Sequence, residues 1–174
     1  SSRPAAGRGS HLAGRTIRAL PDLLEKGRLL TLDKTSCVLI ETPFQQLPLG
    51  WEQVVFAILA KGYFILLAHP ERCAQLAARP QLVDRLIESG VHLQVNWDSF
   101  LGYHGRAALR MAHYLAESGC IHSLATDSHN PQERHAAHVR LAAAKIEKLM
   151  GSENLQRIAI ENPLRILRNT PPLP

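Results

Sequence analysis

Cysteine is scarce in this 174-residue sequence, and the cysteines present do not pair. Cys37, Cys73 and Cys120 are odd in number, lie far apart and form no C-x-x-C. That pattern excludes a disulfide scaffold and reads as a reduced, intracellular, cytoplasmic protein. No apolar run reaches the roughly 18 residues that a membrane helix needs. The longest candidate, Val54 to Ala68, is broken by Lys61-Gly62. No signal peptide is visible. Acids are missing from the first 20 residues, which carry Arg3, Arg8, Arg15 and Arg18 and so hold most of the formal net charge of +5. The remainder is nearly neutral. No basic stripe marks it as nucleic-acid-binding. The Arg-rich start has a faint likeness to a transit peptide. Without an initiator Met, a tag, a fragment or a processed start fits it equally.

What is present describes a folded domain. Hydrophobic residues make up 45% of the sequence, too many for a disordered chain. The length suits one domain with a sizeable core. Residues 1–16 are rich in Gly, Ser, Arg and Ala without period and are expected to be poorly ordered. Residues 17–170 form the domain, and 171–174 a Pro-rich tail. Within the domain one unit recurs: a β-rich run, a polar residue, a loop, and an amphipathic helix that a Gly stops. The first run, Cys37 to Ile40, ends at Glu41, and its helix spans about Trp51 to Lys61. The second, Tyr63 to Ala68, ends at His69, with a helix from about Pro80 to Gly90. The third, Val91 to Val95, ends at Asn96, with a helix from about Gly105 to Ser118. The fourth, Ile121 to Thr126, ends at Asp127-Ser128-His129, with a helix from about Pro131 to Met150. A short helix, about Pro163 to Leu167, closes the domain.

Four strand–helix units in series predict an α/β fold with parallel strands, apolar on both faces. The polar residues then share the carboxyl edge of the sheet, where α/β folds place their sites. Glu41, His69, Asp127 and His129 are carboxylates and imidazoles, the usual ligands of Mn, Fe or Zn. Each has a plainer reading. A strand-end histidine is often merely half-buried, Glu41 could cap a loop, and Asn130 before Pro131 suits a helix N-cap. Arg72 and Arg134 follow the candidate ligands by three and five residues, and a guanidinium grips phosphate bidentately. The remaining histidines, His11, His92, His104, His113, His122, His135 and His138, are expected at the surface. Cys73 and Arg79 match the C-x5-R spacing of cysteine phosphatases. The intervening "AQLAA", however, is helix-forming and has no Gly to cradle phosphate.

The segments "LIETP", "LLAHPER", "QVNWDSFLGYHG" and "LATDSHN", in that order, resemble the polymerase-and-histidinol-phosphatase (PHP) superfamily. Within it they resemble the manganese-dependent tyrosine-protein phosphatases of bacterial capsular and exopolysaccharide synthesis. "PDLLEKGRLLTLD" and "ENPLRILRN" fit the same family. The resemblance implies the C-terminal part of a distorted, TIM-like α/β barrel with divalent metals, Mn ahead of Fe or Zn, at its carboxyl edge. It implies Glu41, His69, Asp127 and His129 as metal ligands and Arg72 and Arg134 as phosphate-binding catalytic residues. The implied substrate is a phosphotyrosine protein, a bacterial tyrosine autokinase of polysaccharide synthesis. Alternatives are a small phosphate ester such as histidinol phosphate, or a catalytically impaired remnant. The family's opening His-x-His strand is absent, and Thr16 stands where a bridging Glu belongs. Roughly half of the metal shell is therefore expected here, in a fragment or a degenerate copy, with an oligomer among the expected states.

Overall fold

The computed structural model describes residues 18–128 and 135–174. The N-terminal segment, Thr16, His129, Asn130, Pro131 and Arg134 lie outside the described residues. Four strands, β1 (Cys37–Glu41), β2 (Phe64–Ala68), β3 (Val91–Asn96) and β4 (Ser123–Ala125), form one parallel sheet in the order β1-β2-β3-β4. Glu41 stands level with Ala68, Ala68 with Gln94, and Gln94 with Ser123. The strand carboxyl ends thus share one edge, as the repeating unit predicts.

Alternation along the strands sorts the two faces. Val38, Ile40, Ile65, Leu67, Val91, Leu93 and Val95 join one large cluster with the helices. These are α1 (Leu20–Glu25), α2 (Trp51–Ala60), α3 (Ala74–Ala78), α4 (Gln81–Glu88), α5 (Gly105–Glu117) and α6 (His135–Met150). Ala142 and Ile146 are the buried contacts of α6, on the face that its periodicity marks. The opposite sheet face is different. Cys37, Phe64 and Leu66 form a small cluster with Ile166, while Leu39 is 47% exposed. On β3 this face carries His92, Gln94 and Asn96. The expectation of strands apolar on both faces is thus met throughout on the helix side, and on the second face only at Cys37, Phe64 and Leu66. On the second face, polar side chains replace the apolar layer near the carboxyl edge.

Three further departures have local causes. Helix α1 was not expected; the short α3 occupies the "AQLAA" run, whose helix propensity argues against a phosphate loop. Strand β4 keeps only three residues in the ladder. The closing helix begins at Ser152 rather than near Pro163. It runs as α7 (Ser152–Gln156), a π turn (Arg157–Glu161) and α8 (Asn162–Leu167). Pro163 has no N–H to donate, and the widened turn before it absorbs the missing bond.

The "ENPLRILRN" segment is a clasp. Asn162 is fully buried; its Nδ2 donates to the carbonyls of His122 and Leu173, both at 2.9 Å, and its Oδ1 accepts from Leu173 N–H at 2.8 Å. Asn169 Oδ1 accepts from Ser36 N–H at the start of β1. The two amides tie the C-terminus to both edges of the sheet.

His122 contradicts the expectation of surface histidines. It is buried, and its Nδ1 accepts the Leu93 N–H at 3.1 Å. The His92 ring stands edge-on to it at 4.8 Å. Burial first, then the neighbouring His92 and Arg157, push its pKa down to about 4. A proton on Nδ1 would also face the Leu93 N–H. The folded-state pKa therefore lies below the unfolded value of about 6.5. The unfolded state binds the extra proton, so this contribution to stability is lost as pH falls from about 6.5 to about 4. We expect the stability difference between parent and His122→Gln to shrink by about 2–3 kcal/mol between pH 7 and pH 4.5 in urea titrations. A pH-independent difference would show that His122 is not held neutral.

Candidate functional site

The site begins where β2 stops. His69 N–H donates to Gln94 O at 2.7 Å, extending the ladder by one rung. The chain then turns abruptly. His69 adopts φ 41° and ψ 51°, in the left-handed region, and Pro70 opens a 3-10 turn through Arg72. A residue before proline favours extended backbone, and a non-glycine residue in the left-handed region is strained by about 1–3 kcal/mol. Asp127, at the end of β4, is also left-handed at φ 53°. Two strained, ionisable strand-end residues therefore stand at one sheet edge.

The turn sends consecutive side chains in different directions. Glu71 goes inward and is 1% exposed. Its Oε1 accepts Ser99 Oγ–H at 2.7 Å and Asn96 N–H at 3.1 Å. Burial pushes its pKa up to about 7, although both hydrogen bonds favour the carboxylate. Ser99 Oγ lies 3.0 Å from His104 Nδ1. Burial, followed by the charge of Arg72, lowers the His104 pKa. Glu71, Ser99 and His104 form a connected row beneath the edge.

Arg72 goes outward, half-buried at the rim. Its Nη1 donates to Asp127 Oδ2 at 2.7 Å. Its Cζ sits 4.8 Å from the centre of the Phe44 ring, a cation–π distance. Asp127 Oδ2 also accepts from Asn96 Nδ2 at 3.2 Å, and Asn96 Oδ1 accepts from Gln94 Nε2 at 2.8 Å. Asn96, the third strand-end residue, is thus a buried polar link between the strands.

The expected metal ligands meet only in part. His69 is buried, and its Nε2 lies 3.4 Å from Glu41 Oε1. Two donors about 2.1 Å from a shared ion stand roughly 3.0–3.4 Å apart, so this pair fits one cation. Asp127 lies on the same edge but is engaged by Arg72 and Asn96. His129 and Arg134 fall outside the described residues. Among the described residues no group of three His, Cys, Asp or Glu side chains is spaced to hold a metal.

Cys73 is fully buried and its thiol pKa is raised by burial. It precedes helix α3 rather than a phosphate-cradling loop. The C-x5-R spacing is therefore a structural coincidence.

Sequence reasoning missed Glu71, Ser99, His104 and Phe44. The first follows His69 by two residues, and the next two lie inside "DSFLGYHG", so their signal was proximity to the motifs. His138 was also misplaced as a surface group. It is partly buried, stacks on Tyr103 at 4.7 Å, and lies 3.3 Å from the Asp98 carboxylate.

Comparison with known proteins finds relatives over most of the chain. The family described as capsular polysaccharide synthesis, CpsB/CapC, matches residues 16–168. The tyrosine-protein phosphatase YwqE of Bacillus subtilis is 35% identical over 161 residues, covering 91% of this chain and 63% of that protein. The tyrosine-protein phosphatase CpsB of Streptococcus pneumoniae is 29% identical, covering 87% of this chain and 64% of its own length. A crystal structure from work on YwqE and CpsB, described there as unique metal-dependent tyrosine phosphatases, superposes with a TM-score of 0.80 at 34% identity. It covers 90% of this chain and 64% of the solved one. The chain thus spans a little under two thirds of the length of these relatives.

The buried row yields a test. Ser99 is fully buried, and removing its hydroxyl strips a hydrogen bond from a buried carboxylate. Ser99→Ala should cost about 2 kcal/mol of stability at pH 8, where Glu71 is ionised, by urea denaturation. Parental stability would mean that Glu71 does not depend on this hydroxyl.

Proposed function

The chain belongs to the CpsB/CapC family of capsular polysaccharide synthesis, and on that premise we propose that it is the phosphate-binding part of a metal-dependent phosphotyrosine-protein phosphatase. The observation that carries this reading is that the Glu41–His69 pair and the Arg72–Asp127 pair share one carboxyl edge, with the Phe44 ring against both His69 and Arg72. Glu41, His69, Asp127 and His129 would hold the divalent ion, Mn ahead of Fe or Zn. Such an ion, when bound, supplies an activated water and screens the phosphoryl charge.

The protein's own residues do the rest. Arg72 carries five N–H donors in a rigid plane and grips phosphoryl oxygens as a fork. Asp127 and the Phe44 ring hold that plane at the rim before substrate arrives. Arg134 is proposed as a second phosphate ligand. The strained His69 backbone aims the imidazole at the edge while Glu71, anchored below by Ser99 and Asn96, fixes the turn. Water oxygen bonds to phosphorus and gives up a proton to solvent as the P–O bond to the tyrosine ring breaks, and the phenolate leaves to take a proton from solvent. The substrate proposed is a tyrosine autokinase of polysaccharide synthesis; the relatives' names support a phosphotyrosine protein, and the family's description supports a setting in capsule synthesis. A second reading rests on the two donors of the Glu41–His69 pair: the chain binds phosphate through Arg72 but turns over poorly.

Three measurements separate these readings. First, Mn-loaded protein should hydrolyse p-nitrophenyl phosphate, EDTA should abolish the reaction, and Cys73→Ser should leave it nearly unchanged. Activity that survives EDTA but is lost in Cys73→Ser would reinstate the cysteine chemistry. Second, His69→Ala should lower bound Mn by elemental analysis; equal metal content would remove His69 from the ligand set. Third, Arg72→Ala should cost about 100-fold in kcat/KM, on the order of 3 kcal/mol, with Arg72→Lys recovering only part. Because Arg72 is paired with Asp127, the same change should also lower stability by about 1 kcal/mol. Full activity in Arg72→Ala would take it out of the site.

A further inference from the structure

The loop after β1 presents an aromatic ring to the site in a way that the core does not require. Phe44 is 55% exposed, yet its backbone is pinned. Its carbonyl accepts Ala74 N–H at 2.8 Å, and the next carbonyl, of Gln45, accepts Gln75 N–H at 3.0 Å. On either side, Thr42 Oγ1 donates to Ala68 O at 2.7 Å and Leu47 N–H donates to Gln75 Oε1 at 2.8 Å. The ring lies nearly parallel to His69, with centres 6.2 Å apart, and Arg72 Cζ sits 4.8 Å from its centre. A water-exposed phenyl group held this firmly, between a cation and an imidazole at the site rim, is placed to meet a ligand.

We propose that Phe44 is a specificity-determining residue that packs against the aromatic ring of the substrate, so that the site selects aryl over alkyl phosphate monoesters. This rests on the phosphatase reading above and names its selectivity. A phosphoryl group held by Arg72 brings its ester substituent alongside Phe44. A tyrosyl ring offers the flat face that an offset or edge-on aromatic pair needs, with centres about 4.5–7 Å apart. A seryl or threonyl ester offers none. Because the loop is already ordered, the contact costs little conformational entropy on binding. The same ring steadies Arg72, but that service acts equally on every phosphate ester and creates no preference between them.

The two roles separate experimentally. Steady-state kinetics on the full chain loaded with Mn would compare two peptides of one sequence, one bearing phosphotyrosine and one phosphoserine. In Phe44→Leu the aryl-to-alkyl ratio of kcat/KM should fall about tenfold, carried mainly by KM, and Phe44→Tyr should retain it. An equal loss on both peptides would reduce Phe44 to a support for Arg72 and overturn the proposal, as would an unchanged ratio. Calorimetric titration with phenyl phosphate and ethyl phosphate provides the second arm, independent of turnover. The parent should bind the phenyl ester more tightly, and Phe44→Leu should erase the difference. Parent protein that binds both esters equally would overturn the selectivity. Parent protein that prefers the phenyl ester but hydrolyses neither peptide would overturn the phosphatase reading and leave the aryl subsite standing.

Discussion

The left-handed turn at His69 is the constraint on which the site depends. Strand β2 is buried along its whole length, so its next residues could not continue outward without carrying polar backbone into the core. Pro70 cannot donate a ladder hydrogen bond. The chain therefore breaks at His69, in a conformation strained for any residue with a Cβ and disfavoured before proline. That one break directs three adjacent ionisable side chains to three places: His69 toward Glu41, Glu71 beneath the sheet edge and Arg72 onto the rim. A relaxed extended residue at position 69 would exchange these directions and scatter the set.

The strain is offset by polar contacts on both sides of the turn. His69 N–H bonds Gln94 O, and Glu71 takes hydrogen bonds from Ser99 and from the Asn96 backbone. Above them, Asn96 and Arg72 converge on one oxygen of Asp127. Strands β2, β3 and β4 are therefore joined at the carboxyl edge by side chains as well as by the ladder. Such a network holds charge in place before a ligand arrives, which is what electrostatic stabilisation of a transferring phosphoryl group needs. Two buried titrating groups, Glu71 in this network and His122 just before β4, act in opposite senses with pH. Glu71, raised to about 7, contributes stability that is lost as pH rises toward that value. His122, lowered to about 4, contributes stability that is lost as pH falls.

The sheet itself is asymmetric. One face carries the helices and the large core. The other has a small apolar cluster under Ile166 and polar side chains toward the edge. The Asn162 and Asn169 clasp brings the C-terminal segment across to this second face, so a motif far from the candidate site in sequence supports the sheet that carries that site.

How much of this was legible beforehand follows from the range of each interaction. The strand–helix repeat, the parallel order and the shared carboxyl edge were readable because hydrophobic periodicity and Gly stops are local signals. That Glu41, His69 and Arg72 lie at that edge was readable because each ends or closely follows an apolar run. The helix in "AQLAA" was visible in propensity alone, and that sufficed to set aside Cys73. The polar second face of β3 was not readable, since period two states that sides differ but not which neighbour covers each side. Nor were the roles of Glu71, Ser99 and Phe44. A glutamate after a proline reads as surface charge until Ser99, 28 residues away, is found donating to it. Sequence by itself determined the elements, their order and the chemical character of the edge, because these depend on residues a few positions apart. Tertiary structure alone decided which carboxylate is buried, which cation meets Asp127 and which ring faces the site, because burial and pairing between distant residues exist only once the chain has closed upon itself.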